Sequence, residues 1–225
     1  RGLLAYLNNE AQLAGVLGHE IAHAASRHAA EMLTKALGYQ FLTLGLLVAG
    51  AGGENTGNWA AVLTALSQQI LLGYGRENEL QADELGILYA SKAGYSPQEV
   101  VEFMKSLKFK ERLKAIEYHA FMASHPETTQ RIIKLQAFAD SLESRQTNYK
   151  IWEDEFKEQL NGLTFGAKGE GKKIRIVKAQ GGENLRDLTE RTLASPLKAW
   201  DFAILNSLRE NSPLTDGQLI KVIIE

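Results

Sequence analysis

Cysteine is missing from all 225 residues. That excludes a disulfide framework and a thiolate-bound metal, so any metal must take nitrogen and oxygen donors. The same absence suits a cytosol or a periplasm and does not choose between them. An excess of charge of one sign is also lacking. The formal balance is −2, without the basic surplus that marks a nucleic-acid partner, and none is expected. No start methionine or leader opens the chain, which begins Arg1-Gly2-Leu3-Leu4. The chain reads as an internal stretch, so an export signal or lipid anchor could lie upstream, and the location expected for the protein is periplasmic or envelope-associated. A long, unbroken apolar run is absent as well. The uncharged stretch from Leu37 to Gly53 has a short dense part interrupted by glycines, too little for a comfortable bilayer span. It reads as a buried or membrane-grazing hairpin, with peripheral membrane contact through residues 37–53 as its use.

What is present is His19-Glu20-Ile21-Ala22-His23. Residues four apart on a helix lie about 40° apart around its axis and one turn along. Both imidazoles can then reach one metal ion, and Glu20 flanks their face, where it can hold a water without taking a coordination position. A catalytic zinc takes three protein ligands and keeps one position open, so a further ligand is needed elsewhere. Gly15, Gly18, Ala22, Ala24 and Ala25 surround the histidines, small enough for another helix to approach closely.

The pattern along the chain is mainly helical. A helix capped by Asn8 or Asn9 carries the motif to about Leu37. Residues 52–58 read as a loop and Trp59–Leu72 as a helix. Gly73-Tyr74-Gly75 loosens or kinks it before it resumes to Lys92. Ser96-Pro97 opens a helix to about Leu107. The charged stretch 108–121 has no clear pattern, and Ser124-His125-Pro126 forms a turn. Helices are expected over 127–142 and 148–160. The chain then changes character, with a linker at 163–172, a strand at 173–177 and two short helices over about 185–193 and 196–208. A closing strand lies within 217–224. The division expected is 1–162, a linker at 163–172, and a module at 173–225.

The third ligand has several candidates: His28, His119, His125 and many carboxylates. Arg76-Glu77-Asn78-Glu79-Leu80-Gln81-Ala82-Asp83 stands out, because Glu79 and Asp83 share a helix face. Glu79 can bind zinc, and Asp83 can accept the free ring N–H of a ligating histidine. His-Glu-x-x-His followed by a helical Glu-x-x-x-Asp resembles the zinc metallopeptidases of the CAAX prenyl endopeptidase family, which has membrane-embedded and soluble periplasmic members. The likeness takes in Arg27-His28, Arg76, Ala82, and Ser124-His125-Pro126 with Arg131. It implies a mainly α, zincin-type (gluzincin) domain, one Zn2+ held by His19, His23 and Glu79, Glu20 as general base, and Asp83 behind a ligand. The multiple spans of the integral branch are absent, which argues against prenylated substrates. The edge strand expected before the first helix lies upstream of Arg1 or is missing.

The tail resembles a LysM module, a small α+β unit of order βααβ, carried by Ile174–Val177, Gly181–Leu185, Ala203–Leu208 and Leu214–Val222. That implies peptidoglycan as a partner, although Glu183-Asn184 replaces the usual turn acid-Thr pair. The activity implied is zinc-dependent endopeptidase action on unfolded or misassembled envelope proteins, with protein or peptide substrates. The other class in play is a non-catalytic wall-binding or chaperone protein on the same fold. His125 and Arg131 are candidates to stabilise the oxyanion. A loop histidine is also suited to occupy the metal in a resting state, and that second use is favoured for His125. His28 is expected to be structural.

Overall fold

The computed structural model describes residues 2–49, 56–112, 125, 129–166, 171–193 and 198–224. In chain order these form α1 (Gly2–Tyr6), α2 (Glu10–Ala25), α3 (His28–Ala49), α4 (Thr56–Lys92), α5 (Pro97–Arg112), α6 (Thr129–Glu143), α7 (Glu153–Gln159), β1 (Lys173–Lys178), α8 (Leu185–Leu193), α9 (Ala199–Asn206) and β2 (Leu219–Ile224). The chain divides into two units, residues 1–16 with 87–225, and residues 17–86.

Helix α2 starts where its polar side chains can satisfy the first free amides. Asn9 Oδ1 accepts from the Gln12 amide at 2.8 Å, and Gln12 Oε1 accepts from the Asn8 amide at 2.8 Å. Asn9 is thus the cap, and Gln12 reaches back past it to the Asn8 amide. The expected single helix to about Leu37 is broken at Ser26-Arg27, where Arg27 takes the left-handed conformation (φ 56°). A non-glycine residue rarely adopts it, so no glycine or proline announces the break.

Among the described residues the larger unit has three apolar clusters. Val100, Val101, Met104 and Ile87 pack against Leu135, Ala139 and Leu142. Ala5, Leu7, Phe103, Leu107, Phe156 and Leu160 form a second cluster, which also takes in Ile174 and Leu205. A third lies inside the C-terminal βααβ element, around Leu188, Phe202 and Ile220. There β1 pairs antiparallel with β2, Lys173 opposite Ile224 through Lys178 opposite Leu219. Helix α7 is shorter than the expected 148–160. The Lys150 backbone bonds to Gly94 and Ser96 instead of joining a helix.

In the smaller unit the uncharged stretch departs from expectation. Residues 37–49 continue α3 as helix, and on it Leu37, Phe41, Leu42, Leu44 and Val48 are exposed rather than buried. Residues 50–53 and most of the expected loop lie outside the described residues. Among the described residues no helix is long and apolar enough to cross a membrane. Helix α4 runs unbroken through Gly73-Tyr74-Gly75. Two glycines spaced by one residue lower helix propensity by only about 1 kcal/mol each, which a long helix tolerates.

Candidate metal centre

Helices α2 and α4 meet through small residues. Ala22 and Ala82 are fully buried. A Cβ placed on Gly18 would stand 2.5 Å from the Gly86 carbonyl oxygen, and one on Gly86 would stand 2.7 Å from the His19 amide nitrogen. Gly18-x-x-x-Ala22 thus faces Ala82-x-x-x-Gly86, and the two backbones approach more closely than any side chain would allow. The consequence is local and chemical: the face of α2 bearing His19 and His23 is pressed against the face of α4 bearing Glu79 and Asp83.

The donors converge. His19 Nε2 and His23 Nε2 stand 3.0 Å apart. Glu79 Oε2 lies 3.5 Å from His19 Nε2, and Glu79 Oε1 lies 3.2 Å from His23 Nε2. On the far side of each ring is a second partner. Asp83 Oδ1 lies 3.0 Å from His19 Nδ1. His28 Nδ1 lies 3.0 Å from His23 Nδ1, and His28 Nε2 lies 2.9 Å from Gln81 Oε1. His19, His28, Glu79 and Asp83 are buried, and His23 is half-buried. Burial would by itself lower the His19 imidazole, but its hydrogen bonds to Asp83 and Glu79, with their charges, lift it to about 9. The pocket thus favours positive charge at the point where the three donors meet.

These donors fit a tetrahedral zinc. Atoms held about 2.0–2.1 Å from such an ion stand about 3.3 Å from one another. Here the two imidazole nitrogens stand 3.0 Å apart, and a different Glu79 oxygen faces each of them, Oε1 at 3.2 Å from His23 and Oε2 at 3.5 Å from His19. Two imidazoles and one carboxylate are also a donor set that zinc accepts.

Of the residues singled out from sequence, His19, His23, Glu79 and Asp83 are brought together, and Glu20 sits beside His19, exposed to solvent. His28 is turned to His23 and Gln81. His119 lies outside the described residues. His125 and Arg131 belong to the other unit. His125 is half-buried. Arg131 shares the buried face of α6 with Leu135, Ala139 and Leu142 and is only 5% exposed, so it is not a surface helix charge. Sequence reasoning missed Gln81, which carries no metal-ligand signature. It also passed over Gly86, whose spacing to Ala82 matches that of Gly18 to Ala22 and was the available signal.

Comparison with known proteins adds two findings. The pattern of Peptidase family M48 matches residues 1–139. Mitochondrial metalloendopeptidase OMA1 of Arabidopsis thaliana is 30% identical over 149 residues, which is 66% of this chain and 28% of that protein. OMA1 of Saccharomyces cerevisiae is 32% identical over 127 residues, 55% of this chain and 35% of that protein. The beta-barrel assembly-enhancing protease of Escherichia coli is 32% identical over 110 residues, 47% of this chain and 23% of that protein. The chain therefore spans between 23% and 35% of the length of these relatives. No solved structure matches.

Proposed function

Because the chain belongs to peptidase family M48 and carries its metalloendopeptidase domain, we propose that it hydrolyses internal peptide bonds with one zinc ion held by His19, His23 and Glu79. The observation that carries this is the convergence of those three donors, with Asp83 placed behind His19. When bound, zinc supplies Lewis acidity, making water a nucleophile near neutral pH and polarising a carbonyl.

The protein's own groups do the rest. Asp83 accepts the His19 Nδ1–H and so leaves Nε2 bare toward the site. Glu20, beside His19 and open to solvent, takes the proton of the attacking water and delivers it to the leaving amine nitrogen. His125 serves either as a donor to the oxyanion or as a resting-state ligand that blocks the metal, and the second is the use we favour. Arg131 is the second candidate to stabilise the oxyanion. The support for both is their place in the motif shared with related metallopeptidases.

The fold is that of a zincin-type metallopeptidase with an appended βααβ module. The substrates proposed are unfolded or misassembled envelope proteins, processed in a periplasm or at an envelope. The name of the beta-barrel assembly-enhancing relatives supports this. CAAX-type specificity is not part of the reading. The observed β1-α8-α9-β2 order is that of the LysM-like module proposed at 173–225, with 163–172 as its connection; peptidoglycan is the ligand that this resemblance would give it. Peripheral membrane contact through 37–53 is part of the same reading, and the exposed Phe41 and Val48 on α3 are side chains that would make it.

Metal analysis of the purified chain, paired with casein hydrolysis with and without a chelator, tests the central reading. Stoichiometric zinc and chelator-sensitive cleavage are expected. A zinc-loaded chain that cleaves nothing would leave a non-catalytic binding protein on the same fold.

A further inference from the structure

The structure assigns His28 and Gln81 a task at this site: they form a positioning pair that sets the tautomer and ring orientation of His23. The inference rests on the reading of His23 as a metal ligand. It begins with the break in the helix. Residues five apart in a continuous helix lie about 140° apart around its axis and cannot touch through their side chains. His23 and His28 would be such a pair. The left-handed turn at Arg27 ends α2 and restarts the chain as α3. It swings the His28 ring edge-on to the His23 ring, with centroids 4.9 Å apart and planes at 84°. An uncommon backbone conformation at a non-glycine residue is thereby used to deliver one side chain.

The hydrogen bonds then determine where each proton sits. A carbonyl oxygen only accepts, so Gln81 Oε1, 2.9 Å away, requires a proton on His28 Nε2. Neutral His28 then presents a bare Nδ1 to His23 Nδ1 at 3.0 Å. His23 must carry its proton on Nδ1 to donate there, and its Nε2 is left bare, facing His19 Nε2 and Glu79 Oε1. This is the tautomer a metal needs. His19 is held by an anion, Asp83, which accepts its Nδ1–H. His23 is held by a neutral imidazole and an amide. The two ligands are therefore supported differently, and the His23 side adds no further negative charge to a pocket that already holds Glu79 and Asp83.

A buried histidine that merely joins α3 to α4 would satisfy the same distances, and the experiment must separate the two roles. Zinc affinity is measured by chelator competition for the whole chain and for His28→Phe, His28→Asn, Gln81→Glu, Gln81→Met and His23→Ala. The 15N spectrum of the His23 ring is recorded in the zinc-loaded state, and thermal midpoints are taken without metal. Outer partners of metal ligands are worth about 10–100-fold in affinity. His28→Phe and Gln81→Met are expected to weaken zinc binding by about 10-fold or more and to lose the protected His23 Nδ1–H signal, with metal-free midpoints unchanged. His28→Asn, which keeps an acceptor near the Nδ1 position, and Gln81→Glu, which keeps the acceptor on α4, are expected to retain both. Wild-type zinc affinity in both His28→Phe and Gln81→Met, with the Nδ1–H signal intact, would overturn the positioning role alone. So would a fall in the metal-free midpoint with no change in affinity. A parent chain that binds zinc no better than His23→Ala would overturn the metallopeptidase reading and this inference together.

Discussion

Glu20 and its neighbour His19 differ by one position in the chain and by almost everything in environment. His19 is 7% exposed, fixed by carboxylates on both ring nitrogens, while Glu20 stands at the solvent edge. A ligand must be held and a base must reach solvent to pass its proton on, and adjacent helix positions about 100° apart provide both. Glu20→Gln keeps the shape and removes the proton acceptor. It is expected to retain full zinc content and to lose at least ~100-fold in casein or peptide hydrolysis, the scale of a general base. Near-parental hydrolysis in that variant would remove Glu20 from the mechanism. Glu79→Ala, by contrast, should release the metal. Zinc content read by elemental analysis should fall below stoichiometry, and activity should fall with it.

At the scale of elements, the close crossing of α2 and α4 decides whether the four site residues meet. Gly86 has the His19 amide nitrogen 2.7 Å from where its Cβ would be, so a methyl group there must push backbone from backbone. Gly86→Ala is expected to destabilise the fold by about 1–3 kcal/mol, as overpacking does. It should also weaken zinc binding by moving Glu79 and Asp83 away from His19 and His23. Gly38 on α3 has nothing within 4 Å of that point. Gly38→Ala should therefore leave zinc affinity unchanged and raise stability by up to about 1 kcal/mol, since alanine is the better helix former. Thermal unfolding and zinc titration of the two variants check the contrast. Equal effects would mean that the crossing is not under steric control.

The two units of the molecule are stabilised by different means. Residues 1–16 with 87–225 have three apolar clusters. In residues 17–86 the only buried hydrophobic side chains among the described residues are Ala22 and Ala82, and the other buried groups there include His19, His28, Asn78, Glu79 and Asp83. Among the described residues the interior of the smaller unit is the proposed metal site, so zinc binding is expected to act as its folding energy. At zinc one hundred times its Kd the gain is about 2.7 kcal/mol, close to 100-fold in opening. Chelation is expected to accelerate amide exchange by about that factor within 17–86 and to leave α5, α6 and the βααβ element near their original rates. Uniform acceleration across the chain would contradict it. The larger unit has its own tie between distant parts. Lys221 on β2, fully buried, donates to the carbonyls of Ala5 and Leu7, both at 2.7 Å. Lys221→Met would orphan two buried acceptors. A loss of about 2–4 kcal/mol by denaturant unfolding is expected, with zinc affinity unchanged.

Much of this protein was determined locally and could be read without a structure. The spacing of His19 and His23, the shared face of Glu79 and Asp83, the Asn cap of α2, the Ser96-Pro97 helix start and the β-α-α-β order of the tail depend on neighbours within a few residues. The helical period and capping chemistry dictate such features by themselves. The sequence did not determine the turn at Ser26-Arg27, the helical and exposed course of residues 37–49, or the pairing of His28 with Gln81. Arg27 adopts a conformation its own side chain disfavours. Leu37 to Ala49 can form a buried hairpin or an exposed helix with the same composition. His28 and Gln81 meet only because two glycines far apart in the chain let α2 and α4 touch. In each case the deciding energy comes from contacts between segments distant in the chain, and no local propensity encodes those.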